Sequence, residues 1–331
     1  MTQSIPKFTI NAVNLASPRL GTKVIQASDE FFAPKERLLK DEDPIFIADK
    51  YDDHGKWMDG WESRRRRDDG HDYCIVRLGA QGTIKGVDIE TTHFTGNHPP
   101  EASIDGVLSD NGISEDRKWI NVVPRQRLDP DAHNFFKAES DERFNTLRLN
   151  IFPDGGVARL RVYGEPLSEW DQTNPDGEHE LSSITNGAKI VGYNDAHYGS
   201  PWVILAPGRG QNMGDGWETR RRREPGNDWI VVALGAPGLV ERIEIDTAYF
   251  KGNYPDRCSV QGALVANGVD ILQDAETWPE LMEQKKLQMD QIHTFDRSAI
   301  NVSGPVSHVR LNIFPDGGVS RFRVFGKLAK E

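Results

Sequence analysis

Cysteine is scarce. Cys74 and Cys258 are the only two in 331 residues, which excludes a disulfide-stapled scaffold. No apolar run approaches the ~20 residues of a bilayer span, so no membrane partner is expected. The opening stretch, Met1 to Ile10, has neither the basic nor the apolar region of a secretion signal. With two thiols and no such signal, a cytoplasmic location is expected. Positive charge is in deficit: 40 Lys and Arg against 51 Asp and Glu give −11. A nucleic-acid partner is therefore not expected, because phosphate binding needs a basic face. There are nine histidines, with no His-x-His or His-x-x-x-His pair and no cysteine cluster, so no metal site is assigned. His54, His71, His93 and His98 are too scattered to argue for one. Gly-x-Gly-x-x-Gly, phosphate-loop and Gly-x-Ser-x-Gly motifs are missing, so neither a cofactor nor a serine elbow is expected.

What the chain does contain is itself, twice. Asp59-Gly60-Trp61-Glu62-Ser63-Arg64-Arg65-Arg66-Arg67 returns as Asp215-Gly216-Trp217-Glu218-Thr219-Arg220-Arg221-Arg222-Arg223. Phe94-Thr95-Gly96-Asn97-His98-Pro99 returns as Phe250-Lys251-Gly252-Asn253-Tyr254-Pro255. Asn150-Ile151-Phe152-Pro153-Asp154-Gly155-Gly156-Val157 returns as Asn312 to Val319. Gly21 through Asp29 aligns with Gly187 through Asp195, which leaves copy one with ten extra residues before Asp59. Each copy has the size of an ordinary domain, far longer than a solenoid repeat. The expected division is copy one at 12–166, a linker at 167–179 rich in Asp, Asn, Pro and Gly, and copy two at 180–328. The cysteines fall at unmatched places: Cys74 aligns with Ile230 and Cys258 with Ala102.

Leu147-Arg148-Leu149-Asn150-Ile151 and Ile243-Glu244-Ile245-Asp246 alternate apolar and polar residues at period two, the mark of half-buried antiparallel strands. Turn signals such as Pro153-Asp154-Gly155-Gly156 separate them. The pattern predicts an all-β chain of two tandem antiparallel β-sandwich domains of the jelly-roll type. One helix is expected over 275–290, where Trp278, Leu281, Met282 and Met289 lie near helical spacing behind Pro279. The matching stretch of copy one, Trp119 to Leu128, predicts a shorter helix interrupted by Pro124.

Two resemblances follow from these segments. The order Trp229 to Gly235, then Val240 to Ile245, closing on His308 to Leu311 and Phe322 to Gly326, resembles a galactose-binding-like or discoidin-type domain. Trp57 to Arg67, His93 to His98 and Asn150 to Val157, each present twice, resemble the allantoicase (allantoate amidinohydrolase) family over nearly the whole chain. That resemblance implies hydrolysis of allantoate to (S)-ureidoglycolate and urea in purine breakdown.

The site is argued from what the reaction needs. Allantoate carries one carboxylate and two ureido groups on a single carbon. Urea leaves well only if its nitrogen is protonated, and the attacking water needs a base. A carboxylate suits a guanidinium fork, and ureido N–H groups need carboxylate or amide acceptors. Glu62, His93 and His98 are the catalytic candidates. Arg64, Arg66, Asn97 and Asp154 are the substrate-binding candidates, with Glu218, Arg220, Asn253 and Asp316 as copy-two counterparts. Copy two has Tyr249 and Tyr254 where copy one has His93 and His98. A histidine titrates near ~6.5 and a tyrosine near ~10, so copy one is expected to hold the working site. Each residue also has a structural reading. The arginines could pair with acids on neighbouring segments, Glu62 could be one half of an ion pair, and the Gly-Asn stretch could be turn chemistry alone. His133 and His293 recur and are second-rank candidates, since a repeated histidine more often satisfies a core hydrogen bond. Asp59-Gly60 reads as a turn, and Trp61 as core or wall. Two further classes stay open: a tandem discoidin-like binding module, and a chain in which one copy serves only assembly. A homo-oligomer is expected.

Overall fold

A computed structural model describes residues 5–9, 12–109, 118–168, 170, 177–266, 268–301 and 304–329. The chain forms two compact units, Met1–Leu167 and Ser168–Glu331.

In the first unit the organising element is β6 (Asp72–Glu90), 19 residues long. Its first half pairs antiparallel with β2 (Lys23–Ala27) and β10 (Arg143–Phe152). Its second half pairs with β9 (Phe135–Lys137) and β12 (Arg159–Pro166). β10 continues to β7 (Glu101–Val107) and β8 (Ile120–Arg127), and β12 continues to β1 (Val13–Asn14). A strand that changes neighbours along its length feeds both layers of a sandwich. The apolar positions predicted by alternation line the interior: Leu147, Leu149 and Ile151 are fully buried, as are Val87, Ile89 and Val162. Two short ladders complete the unit: β3 (Tyr51–Asp52) with β4 (Gly55–Lys56), and β5 (Trp61–Glu62) with β11 (Gly156–Val157).

The second unit repeats the plan. It begins with β13 (His179–Glu180), β14 (Lys189–Tyr193) and β15 (Trp217–Glu218). The long strand is β16 (Asp228–Asp246), followed by β17 (Arg257–Ala263), β18 (Glu280–Lys286) and β19 (Ile292–Phe295). β20 (Val306–Phe314), β21 (Gly318–Val319) and β22 (Arg321–Leu328) close it. β16 pairs with β14 and β20 in its first half and with β19 and β22 in its second.

The helix expected over 275–290 is not formed. β18 occupies that stretch and pairs with β17, and the unit's one α-helical turn among the described residues is α1 (Ile271–Asp274). The cause is a bulge. Met282 faces Val260 and Glu280 faces Gln261, so Leu281 is an extra residue. Leu281 and Met282 are then buried in succession, which breaks period two and imitates helical spacing. Copy one likewise has strand β8 in place of a short helix. Its register slips between Val123 and Gln126, and the slip accommodates Pro124.

Candidate active site

The twice-occurring Asp-Gly-Trp-Glu and Pro-Asp-Gly-Gly segments meet on the β5–β11 ladder, where Glu62 faces Gly156 and Trp61 faces Val157. The approach is close enough to require glycine. A Cβ on Gly156 would lie 2.0 Å from Phe94 Cε1, and Gly155 has φ +140°. Copy two repeats this with Gly318 against Phe250 and Gly317 at φ +137°. Behind the ladder Trp61 is fully buried and its indole N–H donates to the Asp29 carbonyl at 2.8 Å.

Asp59 does more than shape a turn. It is buried and ion-paired with the equally buried Arg159 at 2.7 Å. Arg159 also donates to the carbonyls of Glu42, Arg37, Asp59 and Ala158. Burial opposes ionisation of Asp59, but Lys40, Arg159 and the Ile45 amide together hold its carboxyl below the ordinary range. Arg321 pairs with Asp215 at 3.1 Å in copy two.

Glu62 is 9% exposed. Its backbone is fixed on one side by Ala33, through reciprocal 3.2 Å bonds, and on the other by Gly156. Asn97 Nδ2 donates to its Oε1 at 2.8 Å, and Asn97 in turn receives the Gly156 N–H on its own carbonyl at 2.7 Å. Burial pushes the Glu62 carboxyl above the ordinary glutamate range; the Asn97 hydrogen bond opposes this and the charge of Asp52 adds to it. Beside Asn97, His98 has a buried Nδ1 with no hydrogen-bond partner among the described residues. His93 points elsewhere. Its φ is 69°, its N–H is capped by Asp131, and its Nε2 lies 3.2 Å from the Pro44 carbonyl beside Phe46. Glu62 and Asn97 are thus in contact and His98 follows Asn97 in the chain, while His93 packs on the loop that only copy one possesses.

The arginine run is not a strand beyond Glu62. Arg64 grips Asp29 through Nε and Nη2 at 2.8 and 2.6 Å, and its guanidinium lies over Phe31. Arg66 donates to Asp68 and Asp72, and its backbone N–H donates to Asp154 at 2.9 Å. Arg65 and Arg67 are exposed. Copy two repeats the pattern: Arg220 on Asp195, Arg222 on Asp228, and the Arg222 N–H on Asp316. Asn253 Nδ2 donates to Glu218 Oε1, and lies 3.7 Å from Met213 Sδ. Glu218 is only half-buried.

The acids Asp29 and Asp72, and the buried Arg159, were not singled out by residue type. The available signal was their return as Asp195, Asp228 and Arg321 at the repeat offsets. Among the described residues one cluster offers metal-type donors: Asp88, Glu90 and His133, whose ligand atoms lie within 4.8 Å of one another. Those donors are engaged already. His133 Nδ1 is 2.7 Å from Asp88, which holds the imidazolium above the ordinary histidine range, and Arg161 donates to Glu90 at 2.5 Å. His293 in copy two bonds instead to the Ile245 carbonyl and the Gln288 amide.

Comparison with known proteins agrees with this duplicated architecture. The family model described as "Allantoicase repeat" matches residues 13–167 and 179–329. "Probable allantoicase 1" of Burkholderia mallei is 54% identical over 328 residues, covering 98% of this chain and 97% of that protein. "Probable allantoicase" of Ralstonia nicotianae is 51% identical, covering 98% and 97%. The crystal structure of allantoicase from Saccharomyces cerevisiae matches with a TM-score of 0.80 at 37% identity, covering 95% of this chain and 93% of that one.

Proposed function

We propose a catalytic assignment for this chain, which belongs to the allantoicase family and hydrolyses allantoate to ureidoglycolate and urea: the working site is that of copy one, centred on Glu62. One observation carries the assignment. Glu62 is buried with a raised pKa, its Oε1 is fixed by Asn97, and its Oε2 has no bond to a described residue. A carboxylate held this way can take a proton from water with one oxygen while the other keeps its orientation.

The roles then divide as follows. Glu62 guides and deprotonates the attacking water. Asn97 orients Glu62 and presents its amide to the ureido groups. His98 delivers the proton to the departing urea nitrogen through its imidazole. His93 shapes the wall through its Pro44 contact and is the second candidate acid. Arg64 receives the substrate carboxylate on Nη1, the one guanidinium nitrogen not committed to Asp29. Arg66 and Asp154 keep this loop in place through the Arg66 N–H bond. Glu218, Arg220, Asn253 and Asp316 hold the equivalent scaffold in copy two, where Tyr249 and Tyr254 replace the histidines.

Linker boundaries at 167–179 fit the composition there. A homo-oligomer is supported by the exposed apolar side chains Ile45, Phe46, Ile47 and Tyr51 on the copy-one insertion. A cytoplasmic location is supported by two buried free thiols, Cys74 and Cys258. No described helix is long and apolar enough to cross a membrane.

The test is urea release by Glu62→Gln and Glu218→Gln. Glu62→Gln is expected to lose roughly two to four orders of magnitude in kcat, with Glu218→Gln near wild type. A dead but folded Glu218→Gln beside an active Glu62→Gln would reverse the assignment.

A further inference from the structure

The duplication provides an internal comparison of the two arginine loops. In copy one the Arg66 guanidinium is fully subscribed. Its Nη1 donates to Asp72 at 2.8 Å, while Nε and Nη2 reach the two oxygens of Asp68 at 2.8 and 3.0 Å. That second edge is a side-on, two-bond grip on a carboxylate. In copy two, Arg222 Nη1 donates to Asp228 at 2.7 Å, but Glu224 and Pro225 stand where copy one has Asp68 and Asp69. Arg222 Nε is buried with no hydrogen-bond partner among the described residues, and Nη2 has only a 3.4 Å contact with the Pro225 carbonyl.

Arg222 is one of the residues lining a cavity of about 350 Å³, with Arg220, Arg221, Arg223, Asp195, Glu224 and Asp228. Four arginines there accompany three lining acids and Asp316, which accepts the Arg222 backbone N–H. In copy one Arg64 to Arg67 accompany five acids: Asp29, Asp68, Asp69, Asp72 and Asp154. Copy two therefore has one acid fewer; Asp195 is committed to Arg220 and Asp228 to Arg222, and Arg221 and Arg223 are exposed.

We propose that the copy-two arginine loop is a second binding site, for a small carboxylate seated on the Nε–Nη2 edge of Arg222. Asp68 on Arg66 is the built-in example of the pose. The ligand would satisfy a donor that the fold leaves without a partner, on a loop with one acid fewer than its copy-one counterpart and beside the exposed Arg221 and Arg223. Substrate and product of the family reaction both carry such a carboxylate. The inference does not need the catalytic assignment to copy one.

The probe is N-carbamoylglycine, a carboxylate with one ureido group and no carbon bearing two. In crystals of the full chain soaked with it, the carboxylate is expected at hydrogen-bond distance from Arg222 Nε and Nη2. Glu224→Asp restores the copy-one arrangement and is expected to weaken binding there at least tenfold by calorimetry. Its turnover of allantoate should match wild type. Asp68→Ala should open the Arg66 edge and add one site per chain. An empty Arg222 edge at saturating probe, or unchanged binding in both variants, overturns the proposal. A wild-type chain that releases no urea from allantoate would instead fail the reaction assignment and leave this site untouched.

Discussion

Arg159→Met removes the one guanidinium on which the Asp-Gly-Trp-Glu segment is hung. The Arg159 side chain is 1% exposed and Asp59 4%. The substitution keeps most of the volume but strands four carbonyl acceptors and half the partnership of a buried carboxylate. Breaking a buried pair from one side costs about 3–5 kcal/mol. Lys40 still reaches Asp59 at 2.7 Å, from a position 42% exposed, so the lower end of that range applies. For a unit of this size about 1 kcal/mol moves Tm by about 2–4 °C. The expected fall is then about 6–12 °C, read by calorimetry at pH 7. The pH dependence has a definite sign. The Asp59 carboxyl is held below its unfolded value in the native chain, so its contribution is present above the ordinary aspartate pKa and is lost as pH falls through the folded one. The gap between wild type and variant should therefore narrow toward acid. A Tm loss under 2 °C, or a gap that stays constant as pH is lowered from 4 to well below the ordinary aspartate value, would refute the assignment of Asp59–Arg159 as the anchor.

The acid limb of kcat/KM should lie above the ordinary glutamate value of about 4.3, since Glu62 must be ionised to act and its pKa is raised; Glu62→Gln should abolish that limb. By linkage the same raised pKa favours folding below the unfolded value, and that stability is lost as pH rises through the folded one. His98→Gln should cut kcat by about two to four orders of magnitude, and His93→Gln much less, because its Nε2 already faces the Pro44 carbonyl; the reverse ranking in steady-state urea assays would exchange the two histidines. Gly156→Ala forces a Cβ against Phe94 and should destabilise by about 1–3 kcal/mol, seen as a lowered urea-denaturation midpoint. Neither thiol should react with a thiol reagent in the native chain: burial pushes Cys74 well up and Cys258 to about 12, and labelling of both should appear only in denaturant.

The architecture was legible because its signals are local and repeated. Leu147, Leu149 and Ile151 alternate in the sequence and are all buried in β10. The failure at 280–286 was also local: one bulged residue, Leu281, erased the period on which strand recognition depends. The site was legible only by residue type. Glu62 and Asn97 could be named as candidates, but their bond spans 35 positions, and that of the Arg66 N–H to Asp154 spans 88. Periodicity carries no information at such separations. The arginine runs show the same limit. Residue type marked Arg64 and Arg66 as substrate-binding candidates, whereas Asp29, Asp68 and Asp72 determine where they lie.

The β5–β11 ladder also sets a timetable. Ser63 bonds to the Gly155 carbonyl across 92 positions, and the Gly156 N–H closes onto Asn97. Closing so long a loop is entropically only a little worse than closing a short one, but such non-local contacts form late. At a synthesis rate of about 5–20 residues per second, Glu62 leaves the ribosome several seconds before Gly156 exists to face it. Until then its carboxyl has no Asn97–Gly156 frame to hold it, and it behaves as an ordinary hydrated glutamate. Under the proposed assignment, the chemistry of copy one thus belongs to the finished copy. A chain truncated after β10 would keep strands β1–β10 of copy one and lose Gly156, the ladder partner of Glu62.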